Sequence, residues 1–474
     1  VAGLSPNQAQ RVYRLYGRDS WQAVSQNPYL LAEQVRGFGF KTCDRIARGL
    51  GVAHDAPQRL QAGIVHLLNE ALGEGHLWSP MKVLVAAVST LLGVVPESIP
   101  PQVDALLSQG RVIGEQIIEA DGPVTALYLP RVARTERRVA ERLAYLLRHP
   151  PRSTLHLSKE TAAEMVARLS LPGLTAEQRS AVMGVLTGKR LSILTGGPGT
   201  GKTTTVRLLI ACLEALDVSY ALCATTGRAS KQLAVLTGRN AATVHRHLRI
   251  GMGQRHPEPI RESVLIIDES SMIDLWLLDQ IVARLTEANH LFLVGDVDQL
   301  PSVGPGAVLQ DLIAAGEKAH LPGMRVTRLT CIFRQEAGRR SMIVANCHRV
   351  RAGHRPIRDV PRDSDYFEMF RDTPRVAREL AVELASTRLP RFLDVPPTEV
   401  QVLAPMHGGE AGVRALNVAL QQALNPPDPH KVELRLAGVG MGSLPRRILR
   451  EGDKVRQTRN EYQKQVFNGD LGII

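Results

Sequence analysis

From about residue 172 onward, short apolar runs alternate with segments of helical periodicity. The runs are Leu191–Leu194, Tyr220–Cys223, Val264–Ile267 and Leu291–Val294. They lack polar alternation and are bounded by turn residues, which is how the strands of a parallel sheet covered on both faces read. The βαβα order predicts a doubly wound α/β domain. The first third of the chain has a different pattern. Residues 1–55 predict short helices with tight turns, and Gly37-Phe38-Gly39 stands between two of them. Residues 56–150 predict helices around one hairpin, with Val112-Ile113 and Ala126-Leu127-Tyr128-Leu129 as its strands about Asp121-Gly122-Pro123. A basic helix over Arg134–Arg148 carries Val139, Ala140, Leu143, Leu146 and Leu147 at helical spacing, and its charges read as a solvated face. After Lys431 the pattern turns to a small β domain.

Composition narrows the class. With 474 residues, 44% of them hydrophobic and 22% charged, the chain has room for several folded domains. The net charge of +12 and pI near 9.8 point to a polyanionic partner, although a merely basic enzyme has the same surplus. Aromatic residues are only 4% of the chain, which argues against extensive base-stacking platforms. The five cysteines (Cys43, Cys212, Cys223, Cys331, Cys347) form no C-x-x-C pair, so neither a disulfide framework nor a zinc site is expected, and a cytoplasmic, bacterial-type location is. No apolar run reaches 18 residues.

Four segments carry chemistry. Gly196-Gly197-Pro198-Gly199-Thr200-Gly201-Lys202-Thr203 fits G-x-x-x-x-G-K-[ST] after an apolar run and before a helical one. Its amides, with Thr204 beyond them, would wrap a triphosphate; Lys202 would reach the β- and γ-phosphates, and Thr203 would hold Mg²⁺. The run Val264–Ile267 ends in Asp268-Glu269. There Asp268 would bind the same Mg²⁺ and Glu269 would position and deprotonate water; a helix N-cap followed by an acid reads the same way in isolation. Leu293-Val294-Gly295-Asp296-Val297-Asp298-Gln299-Leu300-Pro301 ends a further strand, with Gln299 placed to sense a γ-phosphate. Phe333-Arg334-Gln335 offers an arginine finger, or else a surface ion pair. Two glycines at 37 and 39 suit a helix-hairpin-helix grip on a nucleic-acid backbone, or an ordinary turn.

In this order and spacing the segments resemble motifs I, II, III and IV of superfamily 1 helicases. Thr225-Thr226-Gly227-Arg228-Ala229 resembles motif Ia, Thr243-Val244-His245 the DNA-contact motif that follows, and Leu174-Thr175-Ala176-Glu177-Gln178 the Q-motif. Within the superfamily the RecD-like branch is the nearest match. Its pointers are Asn27-Pro28-Tyr29-Leu30, Gly37-Phe38-Gly39-Phe40, Ala404-Pro405-Met406-His407-Gly408-Gly409, Leu424-Asn425-Pro426, Gly452-Asp453-Lys454-Val455 and Asn468-Gly469-Asp470. The long N-terminal region is similar to that of the stand-alone RecD-like helicases.

The resemblance implies ATP-dependent, 5′→3′ movement on single-stranded DNA and unwinding at single-strand–duplex junctions, in DNA repair or recombination, by a monomeric motor with no obligate protein partner and no membrane. ATP would be held by Gln178, which would read adenine, and by residues 196–204. Lys202, Asp268, Glu269, Gln299 and Arg334 would be catalytic. Thr225, Thr226, Arg228, Thr243, His245, Pro405, Met406 and Asn417 would touch DNA. The segment Leu248–Ile260 sits where relatives carry a duplex-splitting pin, with an ordinary exposed loop as the other reading.

The expected organisation is a helix-hairpin-helix-like region at 1–55, a helical, winged-helix-like domain at 56–150, a RecA-like motor domain at 151–330, an incomplete second one at 331–430, and the start of an inserted SH3-like β domain at 431–474. Motifs V and VI of the family are not found. The start at Val1 and the end inside Leu471-Gly472-Ile473-Ile474 read as cuts through a longer chain. Two other classes remain open at this level: a DNA-binding scaffold switched by ATP without unwinding, and a different P-loop ATPase.

Overall fold

The computed structural model describes residues 4–35, 37–119, 122–149, 155–170, 172–251, 257–319, 321–331, 341–361, 363–436, 447–459, 461, 464, 466 and 468–474. The chain divides into two compact units, Val1–Thr225 with Leu233–Ile332, and Thr226–Gln232 with Phe333–Ile474.

The first unit opens with four short helices, α1 (Pro6–Tyr16), α2 (Ser20–Gln26), α3 (Leu30–Gln34) and α4 (Phe40–Gly49). Ser5 and Gln8 start α1 with a reciprocal capping box. A buried polar knot fixes α4 against the next helix, α5 (Pro57–Gly73). The Arg59 guanidinium, only 3% exposed, donates to both carboxylate oxygens of Asp44 at 2.8 and 3.2 Å and to the carbonyl oxygens of His54 and Leu92, while the Tyr29 hydroxyl donates to Asp44 at 2.8 Å. Tyr29 belongs to the Asn27–Leu30 signature, and the knot explains what that signature does.

Beyond α5 come β1 (Trp78–Pro80), α6 (Met81–Leu92), α7 (Pro100–Ser108), β2 (Ile113–Glu119), β3 (Gly122–Tyr128) and α8 (Pro130–Arg148). The expected hairpin is present, with strands longer than the sequence suggests, and β1 adds to β3 as a third antiparallel strand. Three residues are too few for a periodicity signal, so β1 is not legible in advance.

The motor part contains α9 (Lys159–Leu169), α10 (Ala176–Leu186), β4 (Leu191–Gly196), α11 (Lys202–Ala215), β5 (Tyr220–Ala224), α12 (Gly227–Thr237), β6 (Ala242–Thr243), α13 (Val244–His247), β7 (Val264–Asp268), α14 (Leu275–Val282), β8 (His290–Gly295), α15 (Val308–Ala319) and β9 (Met324–Leu329). Six strands form one parallel sheet in the order β6-β5-β7-β8-β4-β9. All four apolar runs are strands. The two strands not anticipated, β6 and β9, are the sheet's edges; an edge strand is partly solvated and keeps polar residues, as Arg325 and Arg328 show.

Alternation along the central strands feeds two cores. Leu191, Ile193, Leu265, Ile267, Leu291 and Leu293 face a core shared with α5–α8 and α14. Leu194, Val264, Ile266, Phe292 and Val294 face the other, under α9–α11. The N-terminal helices and one face of the motor sheet therefore bury a single continuous core. The α8 arginines are largely exposed, as expected of a solvated face, and two of them also reach neighbouring elements: Arg138 donates to Asp279 of α14 at 2.9 and 2.8 Å, and Arg142 donates to the Leu285 carbonyl at 2.9 Å. Helical periodicity finds the apolar stripe of a helix, but it does not say what faces its polar side.

In the second unit the described residues between 341 and 430 form α16 (Met342–Arg351), α17 (Pro374–Glu383), α18 (Leu389–Leu393) and α19 (Val413–Leu424), and carry no strand where a second motor sheet is expected. The apolar run at 402–404 has no hydrogen-bonded neighbour strand among the described residues, and Leu403 is 87% exposed. A parallel strand needs flanking strands to satisfy its backbone groups. Antiparallel pairs follow, β10 (Glu433–Leu436) with β11 (Arg447–Arg450) and β12 (Lys454–Arg456) with β13 (Leu471–Ile473). Asn425 is buried and donates to Asp453 at 2.7 Å and to the Glu451 carbonyl at 3.0 Å. The Leu424–Pro426 and Gly452–Val455 signatures are thus two halves of one hydrogen-bonded joint.

Candidate nucleotide and nucleic-acid site

All six strands run in one direction, so their C-terminal ends share one edge, where α/β sheets bind ligands. The loop after β4 is the glycine-rich segment. Gly199 and Gly201 take φ values of 79° and 85°, which a side chain would strain, and Gly201 is the N-cap of α11. Thr200 is buried and its hydroxyl donates to the Gly197 carbonyl at 2.8 Å. The Lys202 ammonium donates to the carbonyl oxygens of Gly196 and Gly197 at 2.6 and 3.1 Å.

At the end of β7, Asp268 accepts the Glu269 amide through Oδ1 at 2.9 Å. Burial raises the Asp268 pKa, against the pull of that hydrogen bond and of the Lys202 charge. The Glu269 pKa is also raised, by burial first and then by the negative charges of Asp268 and Asp296, with Lys202 opposing. Glu269 sits in the left-handed region at φ 54°, ψ 41°. That conformation is uncommon for a side-chain-bearing residue and marks the turn as held by its surroundings. The Thr225 hydroxyl helps hold it by donating to the Glu269 carbonyl at 3.3 Å.

Asp296, at the end of β8, is buried and accepts the Asp298 amide at 3.0 Å. Its position directly after the buried strand β8 is the signal that the sequence carries for it. Gln299 is exposed. Thr195 Oγ1 and Ser271 Oγ, beside the glycine loop and the acidic turn, are buried without hydrogen-bond partners. Hard oxygen donors from one carboxylate and one hydroxyl suit Mg²⁺, which usually takes one or two protein ligands and fills the rest with phosphate and water. Asp268 and Thr203 fit that set.

Other expected positions fall out unevenly. Gln178 is 2% exposed and committed at both ends: its Oε1 accepts the Thr175 amide at 2.9 Å, and its Nε2 donates to the Thr200 and Gly201 carbonyls at 3.4 Å. In this state it braces the loop. Thr243 is 6% exposed, and its hydroxyl caps α13 by accepting the Arg246 amide at 3.2 Å, so its side chain does not face outward as a DNA contact would. Thr226 accepts the Ala229 amide in the same manner at 3.2 Å. Arg228 and His245 are exposed. In the second unit Pro405, Met406 and Asn417 are exposed, and the Val413 amide donates to the Met406 carbonyl at 2.9 Å, which sets that loop against the start of α19. Arg334 lies outside the described residues, as do residues 252–256 of the expected pin. Arg249 and Glu258, on the two arms of that segment, form an ion pair at 3.6 Å.

Comparison with known families decides the lineage. Residues 1–78 match the HHH domain of ATP-dependent RecD2 DNA helicases, residues 173–372 an AAA domain, and residues 416–474 the SH3 domain of ATP-dependent RecD-like DNA helicases. The RecBCD enzyme subunit RecD of Mycolicibacterium smegmatis is 31% identical over 469 residues, covering 90% of this chain and 78% of that protein. The chain belongs to the RecD-like helicases of superfamily 1. The ATP-dependent RecD2 DNA helicase of Deinococcus radiodurans is 33% identical over 482 residues; the match takes in all of the RecD-like chain and 62% of that relative's length. A solved structure of Pif1 helicases on forked duplex DNA overlaps partially, with a TM-score of 0.37 at 20% identity over 64% of this chain and 71% of that one. Among the described residues no single helix is long and apolar enough to cross a membrane.

Proposed function

We propose that this RecD-like chain forms the nucleotide-hydrolysing part of an ATP-dependent DNA helicase of the stand-alone type. The observation that carries the reading is the shared sheet edge, which brings the Lys202 loop together with Asp268, Glu269 and Asp296. The amides of residues 196–204 wrap the triphosphate. Lys202 exchanges its two carbonyl partners for phosphate oxygens, a charge-assisted and stronger bond. Asp268 and Thr203 hold Mg²⁺, which neutralises phosphate charge when bound. Glu269, whose carboxyl group already holds its proton more tightly than usual, accepts a proton from the attacking water. Gln299 senses the γ-phosphate, and Arg334 stabilises the charge that develops on it.

The partner is single-stranded DNA and its junction with duplex. Arg228, His245, Pro405, Met406 and Asn417 are exposed, and each is available to touch such a strand. The turn at Gly37–Gly39 opens α4 with amides that suit a phosphate backbone. The Leu248–Ile260 segment acts as the pin. Movement is 5′→3′, and the setting is DNA repair in the bacterial cytoplasm.

The test is strand displacement by the whole protein on duplexes with a 5′ or a 3′ single-stranded tail. The proposal expects ATP-dependent displacement on the 5′-tailed substrate alone. Displacement from a 3′ tail would overturn the direction, and DNA binding that responds to ATP without displacement would favour a switched scaffold.

A further inference from the structure

We infer that Asn289, in the corner between α14 and β8, is a positioning residue for the return arm of the Leu248–Ile260 segment, and through that arm for the splitting of duplex. The inference rests on the reading of that segment as the pin and adds to it what holds the pin in place.

Asn289 is buried, and its side chain is fully engaged. Its oxygen accepts the Thr286 amide at 2.6 Å and the Thr286 hydroxyl at 2.7 Å. Its Nδ2 donates to the carbonyl oxygens of Ile260 at 3.1 Å and Glu262 at 2.8 Å. An amide side chain has two lone pairs and two N–H donors, so these four contacts use all of them. The oxygen faces its own corner, and the nitrogen faces the arm that returns from the pin toward β7. The Ile260 amide completes the joint by donating to the Arg284 carbonyl at 3.0 Å.

The corner is itself held from behind. Arg190, buried at the start of β4, donates to the carbonyl oxygens of Thr286, Glu287 and Asn289 at 3.3, 2.9 and 3.2 Å. From α8, Arg142 donates to the Leu285 carbonyl at 2.9 Å and the Tyr145 hydroxyl to the Glu287 carboxylate at 2.6 Å. The corner is thus a bracket bolted to the sheet on one side and to the N-terminal region on the other. The two arms also meet directly, through the His247–Glu262 ion pair at 3.5 Å and the Arg249–Glu258 pair at 3.6 Å. Ion pairs open to solvent contribute little, so the buried amide carries most of the placement.

A pin splits duplex only while its base resists the push of the advancing strand. Two hydrogen bonds of ordinary net strength shift the population of a held arm by about tenfold or more. Without the Asn289 donors, the Ile260 and Glu262 carbonyls lose the contacts that fix the arm. The nucleotide site is remote from this change. Glu262 lies just before Val264, the first residue of β7, whereas Asp268 and Glu269 lie at that strand's other end. Hydrolysis and splitting therefore separate at Asn289.

The experiment measures two activities of the whole protein on the same preparations: displacement of a forked duplex carrying both single-stranded tails, and ATP hydrolysis stimulated by single-stranded DNA. The unaltered protein is compared with Asn289→Asp, Asn289→Ala and a variant lacking residues 252–256. Asn289→Asp keeps an oxygen for Thr286 and loses the donors to the arm, so it remains informative if Asn289→Ala does not fold. The inference expects both substitutions to slow displacement by about tenfold or more while kcat and KM for ATP stay in place. The deletion would slow displacement likewise. A purely structural role would lower both activities in proportion through a smaller active fraction, and that result overturns the inference. So does undiminished displacement in the substituted proteins when the deletion abolishes it. If the deletion leaves displacement unchanged, or the unaltered protein displaces no strand, the pin reading itself fails and takes the inference with it.

Discussion

The Lys202 ammonium lies 2.6 Å from the Gly196 carbonyl oxygen, so the lysine closes the loop that it later opens to phosphate. A half-buried cation against carbonyl dipoles is held in place, yet a phosphate oxygen would offer it full charge. The loop is thus held by its own hydrogen bonds.

Replacing this lysine separates chemistry from folding. Lys202→Gln keeps a donor for the carbonyls and loses the charge. Hydrolysis should fall by roughly 10²–10³-fold, the loss typical of one transition-state charge stabiliser, with the melting temperature unchanged. A variant that melts early as well as losing turnover would mean that Lys202 is chiefly structural.

The two acids make a pH prediction with a definite sign. Burial raises the Asp268 pKa above its ordinary value of 3.8. A carboxyl group whose folded pKa is raised destabilises the fold while ionised; this penalty is complete above the folded pKa and disappears as pH falls to the ordinary value. Asp268→Asn should therefore melt higher than the unaltered protein at neutral pH, and the gap should close below pH 3.8. Glu269 is raised from 4.5 by burial and by its acidic neighbours, so the acid limb of the hydrolysis profile should lie above pH 4.5. Melting curves and a pH–rate profile check both.

The Arg59–Asp44–Tyr29 knot bears on stability alone. The Arg59 side chain is 4% exposed and that of Asp44 15%. Removing one partner of such a buried pair leaves an uncompensated charge and costs about 3–5 kcal/mol. Arg59→Ala should show this loss in denaturant unfolding followed in the N-terminal helices. For Asp44, burial alone would raise the pKa; hydrogen bonds from Arg59 and Tyr29, with the Arg59 charge, outweigh it and leave it lowered. The stabilisation is accordingly full above pH 3.8 and lost as pH falls through the folded pKa. An Arg59→Ala protein whose stability matches the original at neutral pH would refute the account of the knot.

What the sequence shows and what it hides follow from how local each feature is. The four central strands and the Lys202 loop are legible because a doubly buried strand and a phosphate loop each impose a pattern within a few residues. The edge strands β6 and β9 are not, since burial on them is partial. The Asp268–Glu269 turn is visible as a motif, while the raised pKa values arise chiefly from burial in the folded sheet, with Asp268 and then Asp296 adding a smaller push at Glu269. Thr243 and Gln178 occupy recognisable motif positions, and in the structure the capping of α13 and α10 engages their side chains, which the motifs do not show. Arg138 and Arg142 lie on the polar face that the α8 pattern predicts, and only the fold shows that they also reach Asp279 and Leu285.

The most direct measurement of the central claim is the rate of ATP hydrolysis by the whole protein with and without single-stranded DNA, in the presence of magnesium. The account predicts hydrolysis that single-stranded DNA strongly accelerates and that Lys202→Gln lowers by roughly 10²–10³-fold. An unaltered rate on adding DNA, or turnover undiminished in Lys202→Gln, would contradict it.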